Sequence, residues 1–193
     1  MTDYEDKTMM LNLWKVLQIE KLSIKQWGVT TDEGRHLGWL ASQVSDDGLI
    51  VEIGTLYGRS TSFMAIGSKD SVRVYAIDCW EGTHYHRMIK AVEYFAKLDL
   101  MGKIKIIKGY SEQVAKSFKG TIDMLYIDGD HSYESVKTDY EKWYPFLKKG
   151  GVVAFHDHIH PKYPGIVKFV AERPAKENEF IAQVGKVWSG RKK

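Results

Sequence analysis

The chain has 193 residues, a hydrophobic fraction of 44% and a formal net charge of +3, which together fit one domain with a sizeable core. Its lysines and arginines are scattered, so the charge does not indicate a nucleic-acid-binding surface, and a single cysteine excludes an intrachain disulfide framework. The N-terminus begins acidic and lacks the features of a signal peptide, and no apolar run reaches membrane-spanning length. We therefore expect a cytoplasmic protein that binds neither nucleic acid nor membranes.

Two helices are predicted ahead of the first strand. Residues 8–22 carry apolar residues at roughly helical spacing and predict a short helix that could serve as a lid or a docking element. The second helix has a clearer start, because Thr30 followed by Glu33 is a capping box. Its apolar stripe at helical spacing consists of Leu37, Leu40, Ala41 and Val44, and we expect it to end near residues 46–48.

From residue 49 onward, strand and helix patterns alternate. Such alternation with short loops predicts a parallel, Rossmann-like sheet covered by helices on both faces. We treat residues 1–193 as one domain, in which residues 1–47 form the N-terminal helices and residues 48–193 form the cofactor-binding and catalytic core. Strands are predicted over 49–53, 72–77, 104–107, 122–127 and 151–155, helices over 59–68, 84–100, 111–118, 133–147 and 165–173, and a terminal antiparallel hairpin over 180–184 and 187–191.

The turn after the first predicted strand reads EIGTLYGRS and holds two glycines, Gly54 and Gly58. A dinucleotide fingerprint would need a glycine where Leu56 stands, and no Lys-Ser or Lys-Thr pair follows a suitable glycine run, as a phosphate-binding P-loop requires. The turn therefore favours a ligand that lacks a pyrophosphate but still uses backbone N–H groups at the start of a helix.

Asp78 ends the second predicted strand, 20 residues after Gly58. An acidic residue at this spacing, at the tip of the neighbouring strand, can accept hydrogen bonds from two ribose hydroxyls. Trp80 and Tyr110 lie near strand ends, where their rings could flank an adenine or simply pack. The pattern thus predicts a nucleoside-containing ligand.

Acidic and histidine side chains follow the fourth and fifth predicted strands. Asp128, Asp130 and His131 come after the fourth, and His156 and Asp157 come after the fifth. Adjacent parallel strands lie about 4.8 Å apart, so their tips bring these side chains together. Carboxylates with imidazoles suit a divalent cation, and the histidines shift the preference from Mg²⁺ and Ca²⁺ towards Mn²⁺, Fe²⁺ or Zn²⁺. His158 and His160 are interpreted as loop residues.

Four segments together resemble the class I S-adenosylmethionine-dependent methyltransferases. More narrowly, they are similar to a small O-methyltransferase-like group that includes macrolide sugar methyltransferases and cephalosporin-hydroxylase relatives. The resemblance covers about residues 30–190 and implies a seven-stranded, mostly parallel sheet whose last strand is antiparallel. The segments are VEIGTLYGRS, YAIDCWEG, IIKGYSEQV and MLYIDGDHSYESVKTDYEKWYPFLKKGGVVAFHD.

The resemblance also implies roles for site residues. Glu52 and Gly54 would line the methionine part of S-adenosylmethionine, Asp78 the ribose, and Ser111 with its neighbours the adenine. Asp128 and His131 would be catalytic, with His131 as the base. The predicted cofactor-binding residues are Glu52, Gly54, Thr55, Tyr57, Gly58, Ser60, Asp78, Trp80, Tyr110, Ser111 and Asp128.

A metal site is implied by the same resemblance. In the macrolide-type relatives, the positions matching Asp128, His156 and Asp157 hold a divalent ion, which here would be Mg²⁺ or Mn²⁺. This chain departs from them at His156, where those relatives carry an acid. The ion would lower the pKa of an acceptor hydroxyl, and without it His131 would act alone.

The expected activity is methyl transfer from S-adenosylmethionine to a hydroxyl of a small molecule. Three alternatives stay open: a nicotinamide-dependent oxidoreductase, a metal-dependent hydroxylase or hydrolase on the same scaffold, and a non-catalytic cofactor-binding module. The methyl acceptor is not readable from the sequence, and the sequence leaves a homo-oligomer open.

Overall fold

The computed structural model of the chain describes residues 15–21 and 28–193, and its centre is a seven-stranded sheet in the order β3–β2–β1–β4–β5–β7–β6. Strands β1 to β5 pair in parallel, whereas β7 runs antiparallel to both of its neighbours, β5 and β6. The predicted mostly parallel sheet with an antiparallel last strand is therefore confirmed. The strands are β1 (Leu49–Ile53), β2 (Arg73–Asp78), β3 (Ile104–Lys108), β4 (Ile122–Ile127), β5 (Leu147–Phe155), β6 (Asn178–Val184) and β7 (Val187–Lys192).

Helices cover both faces of the sheet, as predicted. Ile50 points into an apolar cluster that joins one face to α1, α2 and α3, and its neighbour Val51 points into a second cluster that joins the other face to α4, α5 and α6. A strand that is buried on both faces reads as a continuous apolar run, which explains the sequence of β1. The helices are α1 (Thr31–Ser42), α2 (Arg59–Gly67), α3 (Tyr85–Lys97), α4 (Ser111–Ser117), α5 (Tyr133–Trp143), α6 (Pro164–Glu172) and α7 (Pro174–Glu177).

The capping box predicted for α1 is present. The Thr30 hydroxyl accepts from the N–H of Glu33, and the Glu33 carboxylate accepts from the N–H of Thr30 at 2.7 Å. The helix ends at Ser42, earlier than the predicted end near residues 46–48. Of the helix predicted over residues 8–22, residues 15–21 are helical and the others lie outside the described residues.

The helix predicted over residues 133–147 is shorter than expected. It ends at Trp143, and Tyr144–Phe146 form a 3₁₀ turn that contains Pro145. Proline has no N–H and its ring clashes with the carbonyl four residues earlier, so an α-helix cannot continue through it without a kink. Leu147 already pairs with Ile122 of β4, so β5 starts four residues before its predicted beginning.

The C-terminal elements agree with their predictions, with one addition. The predicted helix over 165–173 is α6, and the predicted hairpin is formed by β6 and β7. Pro174 does not end helical structure altogether but begins the short helix α7. None of the helices within residues 15–21 and 28–193 is long and apolar enough to cross a membrane.

Four parallel strands end level with one another. Ile53 of β1 pairs with Ile77 of β2 and with Ile127 of β4, and Ile127 pairs with Phe155 of β5. Ligands of open α/β sheets bind outside this carboxyl edge. The residues that come next after these level positions of the four strands are Gly54, Asp78, Asp128 and His156.

Candidate functional site

A cavity of about 950 Å³ opens at the carboxyl edge of the sheet. Its wall is built from the segments that follow β1 to β5 and from the turn between β6 and β7. A volume of this size is within the range of small-molecule and cofactor pockets. The predicted site residues on this wall are Gly54, Asp78, Trp80, Tyr110, Ser111, Asp128, His131, His156 and Asp157.

Asp78 is oriented by backbone groups of the loops after β1 and β2. The N–H of Leu56 donates to its Oδ2 at 2.8 Å, and the N–H of Trp80 donates to its Oδ1 at 3.0 Å. The Trp80 indole N–H donates to the carbonyl of Leu56 at 2.9 Å, which ties the two loops together. Leu56 (φ +52°) and Trp80 (φ +38°) are both left-handed, a conformation that is costly for such residues and is found most often at functional sites.

Gly54 lets the tips of β1 and β4 close on each other. Its φ is +90°, and a Cβ at this position would lie 2.0 Å from the carbonyl oxygen of Asp128. The neighbouring Gly58 (φ +79°) would place a Cβ 2.4 Å from the ring of Phe95. Both glycines of the predicted turn are thus required by packing of the protein itself.

Glu52 lies beneath the turn and not on the cavity wall. It is fully buried and accepts hydrogen bonds from the hydroxyls of Ser60 and Thr61 and, at 3.2 Å, from Thr55. Burial raises the pKa of the Glu52 carboxyl to about 7, although these hydrogen bonds oppose the shift. The predicted cofactor residues that the structure places off the wall are Glu52, Thr55, Tyr57, Gly58 and Ser60.

The two aromatic residues considered for adenine differ in exposure. The Tyr110 side chain is 46% exposed at the cavity and its hydroxyl donates to Glu81. Trp80 is only 1% exposed and its indole N–H is already used. Tyr110 is therefore free to stack on a ligand, whereas Trp80 is part of the packed wall.

Asp139 of α5 was not among the predicted site residues. It lies on the cavity wall, is buried, and accepts a hydrogen bond from the Ser111 hydroxyl. Burial raises the pKa of its carboxyl to about 6. A signal was available, because Asp139 falls on the buried face of α5 with Val136, Tyr140 and Trp143, where a charged residue has no structural reason to be.

The end of the cavity away from Asp78 holds a cluster of three side chains: Asp128, His131 and Asp157. One ligand atom of each lies within 4.8 Å of the others. The His131 Nε2 is 2.9 Å from Asp157 Oδ2 and 3.8 Å from Asp128 Oδ1, and this buried nitrogen makes no well-directed hydrogen bond among the described residues. The His131 ring stacks on Tyr163 with centroids 4.1 Å apart, which fixes its plane.

His156 lies between two carboxylates. Its Nδ1 is 3.1 Å from Asp128 Oδ1, and its Nε2 is 3.5 Å from Glu33 Oε2. Burial opposes protonation of this ring, but the charge of Asp128 and the contacts with Asp128 and Glu33 raise its pKa to about 10. His156 therefore has the charge state of an ion-pair partner, and His131 completes the cluster with Asp128 and Asp157.

Lys186 and Glu33 are the other site residues that sequence reasoning missed. The Lys186 Nζ donates to Asp157 Oδ1 at 2.8 Å, and the Lys186 N–H donates to Glu33 Oε1 at 2.7 Å. Burial would raise the pKa of Asp157, but His131 and Lys186 hold it well below its usual range. Glu33 was identified only as a capping residue, and no motif signals Lys186, which reaches the site from a hairpin turn.

His158 and His160 were interpreted as loop residues, and their places differ. The His158 Nδ1 is 3.1 Å from Gln183 Oε1, away from the cavity wall. His160 lies on the wall and stacks near Tyr163 with ring centroids 4.7 Å apart. Asp130 is also on the wall, where its Oδ1 accepts the N–H of Ser132 at 2.8 Å.

The divalent ion implied by the resemblance can be tested against this donor set. Asp128, His131 and Asp157 have the spacing of a metal site. Their carboxylates, however, already face cationic side chains: His156 at Asp128 and Lys186 at Asp157. The residues thus have the geometry for a cation, but their charges do not fit a divalent one.

Comparisons with known proteins agree with this fold. A family model described as a methyltransferase domain matches residues 51–158, which begin within β1 and include the Asp78 strand and the Asp128 and Asp157 segments. Uncharacterized proteins of Sinorhizobium fredii and of Acanthamoeba polyphaga mimivirus are 31% identical over 120 residues and 32% identical over 140 residues. The matches cover 56% and 66% of this chain but only 13% and 61% of these relatives.

Solved structures share the fold across nearly the whole chain. An O-methyltransferase from Bacillus cereus in complex with SAH (S-adenosylhomocysteine) has a TM-score of 0.70 at 20% identity, covering 94% of this chain and 90% of that one. The O-methyltransferase TomG from Streptomyces achromogenes, in complex with SAM (S-adenosylmethionine), has a TM-score of 0.70 at 17% identity with the same coverage. At such identities these similarities establish the fold, and the family model adds the membership. The chain belongs to the methyltransferase domain family, as its sequence motifs predicted.

Proposed function

We propose that this protein transfers a methyl group from S-adenosylmethionine to a hydroxyl of a small molecule. One observation carries the proposal: a single cavity joins Asp78, at one end, to the cluster of Asp128, His131 and Asp157 at the other. A carboxylate suited to a ribose and a candidate base therefore line the same space.

The Asp78 end fits an adenosyl group. Each Asp78 oxygen accepts one backbone N–H and keeps a further lone pair, so the carboxylate can accept from both ribose hydroxyls. Because β3 lies beyond β2 in the sheet, an adenine attached to that ribose would extend towards Tyr110 and Ser111. The methionine part would then extend the other way, over β1 and β4, towards Asp128.

His131 is proposed to accept the proton of the acceptor hydroxyl. When bound, S-adenosylmethionine supplies an activated methyl group, whose bond to sulfur breaks with the electron pair moving to sulfur as the acceptor oxygen bonds to the carbon. The His131 Nε2 lies 2.9 Å from Asp157 Oδ2, so in the neutral ring Nε2 carries the proton and Nδ1 has the lone pair that accepts the hydroxyl proton. The negative charges of Asp128 and Asp157 beside Nε2 stabilise the imidazolium that forms. Tyr163 holds the ring in place by stacking.

The choice of an oxygen acceptor and of a small molecule has two supports. The two structural neighbours described above are both named O-methyltransferases, and one of them is described as involved in tomaymycin synthesis. In addition, the cavity of this chain is of a size that suits a cofactor together with a small acceptor. Substrate positioning in such a pocket contributes by aligning oxygen, methyl carbon and sulfur.

The test is titration calorimetry with S-adenosylmethionine, S-adenosylhomocysteine and, as a control ligand, NAD. We expect micromolar binding of the two adenosyl ligands and none of NAD, in EDTA and equally with Mg²⁺ or Mn²⁺. Asp78→Asn should weaken binding of S-adenosylhomocysteine by about 10- to 100-fold, because charge-assisted hydrogen bonds to the ribose are worth about 1.5–3 kcal/mol. Asp46→Asn removes an exposed carboxylate that pairs with Lys69 and serves as the matched control.

Failure of both adenosyl ligands to bind would reject the proposal and favour the alternative of a metal-dependent hydroxylase or hydrolase. Binding of S-adenosylmethionine without its conversion to S-adenosylhomocysteine in the presence of any hydroxylated acceptor would favour a non-catalytic cofactor-binding module. If Asp78→Asn bound as tightly as the unchanged protein, the ribose contact would have to be reassigned.

A further inference from the structure

Lys186 is brought to the reaction end of the cavity by the antiparallel pairing of β7. Trp188 of β7 pairs with Phe155, the last residue of β5, so the turn two residues before Trp188 lies beside the segment that carries His156 and Asp157. The Lys186 backbone is fixed there, because its N–H donates to the buried carboxylate of Glu33 at 2.7 Å.

The Lys186 side chain reaches the carboxylate cluster itself. Its Nζ donates to Asp157 Oδ1 at 2.8 Å, and the side chain forms part of the cavity wall. An ammonium has three N–H donors. One of them is used by Asp157, and the side chain is 32% exposed, so further donors can face a molecule in the cavity.

Each carboxylate oxygen of the cluster already faces a donor. Asp157 Oδ1 accepts from Lys186, and Asp157 Oδ2 lies 2.9 Å from His131 Nε2. Asp128 Oδ1 lies 3.1 Å from His156 Nδ1, and Asp128 Oδ2 accepts from the Tyr126 hydroxyl at 3.3 Å. A divalent ion at this point would have to displace these partners and would experience the repulsion of a fixed ammonium.

We propose that the Lys186 ammonium takes the place of a divalent ion at this site, holding Asp157 and donating a hydrogen bond to the acceptor oxygen. The part that concerns the acceptor rests on the proposed function. As the hydroxyl proton passes to His131, the oxygen gains negative charge, which a nearby ammonium stabilises. Lys186 keeps its own proton throughout and acts only through its charge and its hydrogen bond.

The experiment measures Mn²⁺ binding by electron paramagnetic resonance, in parallel with binding of S-adenosylhomocysteine by calorimetry. The proteins are the unchanged chain, Lys186→Met, Lys186→Arg and, as a matched control, Lys69→Met, which removes an exposed lysine paired with Asp46 at 3.0 Å. We expect Lys186→Met to bind Mn²⁺ at least about tenfold more tightly than the unchanged protein, because a repulsive charge is removed and Asp157 is released.

Lys186→Arg and Lys69→Met should show no such gain, since both keep a cation beside Asp157. Micromolar Mn²⁺ binding by the unchanged protein would overturn the proposal. So would a Lys186→Met variant that binds Mn²⁺ no more tightly than the unchanged protein does. If Lys186→Met fails to fold, as shown by its melting curve, Lys186→Gln replaces it, and the result for the unchanged protein stands by itself.

The two proposals fail separately. If the unchanged protein does not bind S-adenosylhomocysteine, the methyltransferase proposal is rejected, whatever the result of the Mn²⁺-binding measurement. Normal S-adenosylhomocysteine binding together with micromolar Mn²⁺ binding rejects only the role of Lys186. Once an acceptor is found, the rate of the unchanged protein should be insensitive to EDTA, and Lys186→Met should lose more rate than Lys186→Arg.

Discussion

The two ends of the cavity are held in place by different kinds of interaction. At the end proposed to hold the adenosyl group, here called the adenosyl end, Asp78 is fixed by backbone N–H groups of residues close to it in the two adjoining loops. At the end proposed to hold the methyl acceptor, here called the acceptor end, Asp157 is fixed by the side chains of Lys186 and His131, which come from separate parts of the chain. A site held by backbone groups depends on the fold, whereas a site held by charged side chains depends on each partner being present.

This difference predicts that binding and chemistry can be separated by mutation. Changes at the acceptor end should alter proton transfer and cation binding while the loops around Asp78 keep their shape. Changes to backbone packing where the two ends meet should disturb both.

His131→Ala should have the largest effect, and it tests whether the acceptor end carries only chemistry. Loss of a general base typically costs about 10²- to 10⁴-fold in rate. We expect a loss of this size in the initial rate of S-adenosylhomocysteine formation with the first acceptor identified, and an unchanged affinity for S-adenosylhomocysteine. His158→Ala is the matched control, because His158 faces Gln183 away from the cavity wall. A His131→Ala enzyme with full activity would rule out the assigned base.

Gly54→Ala tests whether the close contact between the backbones of Gly54 and Asp128 links the two ends of the cavity. An added Cβ would lie 2.0 Å from the Asp128 carbonyl oxygen, and the φ of +90° is strained for any other residue. Strain of about 1 kcal/mol and overpacking of about 1–3 kcal/mol together predict a loss of about 3 kcal/mol in the free energy of unfolding. Urea denaturation measures this quantity.

Gly150→Ala is the control for Gly54→Ala. Gly150 also has a positive φ, of +76°, but a Cβ there would meet no atom within 4 Å. We expect it to lose only the backbone strain of about 1 kcal/mol. Equal losses of unfolding free energy in the two variants would mean that the backbone near Asp128 moves to accommodate the added Cβ at no cost. The contact between Gly54 and Asp128 would then not link the two ends of the cavity.

Most of the adenosyl end was predictable from the sequence, because its signals are local. The turn glycines, the acid after β2 and the apolar strands are short patterns with a direct structural meaning, and the structure places Gly54 and Asp78 together. The convergence of Asp128, His131 and Asp157 was predictable too, since parallel strands end at one edge of a sheet. Glu52 and Ser60 were predicted to contact the cofactor, but the structure places both away from the cavity wall. A sequence motif does not reveal that these two side chains hydrogen-bond to each other beneath the turn.

The acceptor end held what the sequence could not show. Glu33 and Lys186 are 153 residues apart, and they meet only because β7 pairs with β5 in one particular register. No local pattern encodes that register.

The end of α5 was predicted too late for a different reason. The helical periodicity continues past Pro145 to Leu147, but a proline inside such a pattern is the stronger signal and ends the helix.

Asp139→Asn should have the smallest effect, and it sharpens the comparison because Asp139 is a charged side chain built into the adenosyl end. Burial raises its folded-state pKa from 3.8 to about 6, so the folded protein binds the proton more strongly than the unfolded chain does. The contribution of Asp139 to the free energy of unfolding is therefore most favourable below about pH 4 and falls as the pH rises to 6, by about 3 kcal/mol for a shift of roughly two pKa units. Asparagine removes this penalty but weakens the hydrogen bond from Ser111, which is worth about 1 kcal/mol.

We therefore expect Asp139→Asn to be about 1–2 kcal/mol more stable than the unchanged protein at pH 7 and no more stable at pH 4, as measured by urea denaturation at the two pH values. Asp46→Asn, at an exposed position, should show no such difference between the two pH values. A less stable Asp139→Asn at pH 7 would mean that the carboxylate stabilises the folded chain. Increased stability together with weaker binding of S-adenosylhomocysteine would show that this end retains a destabilising charge because the ligand uses it.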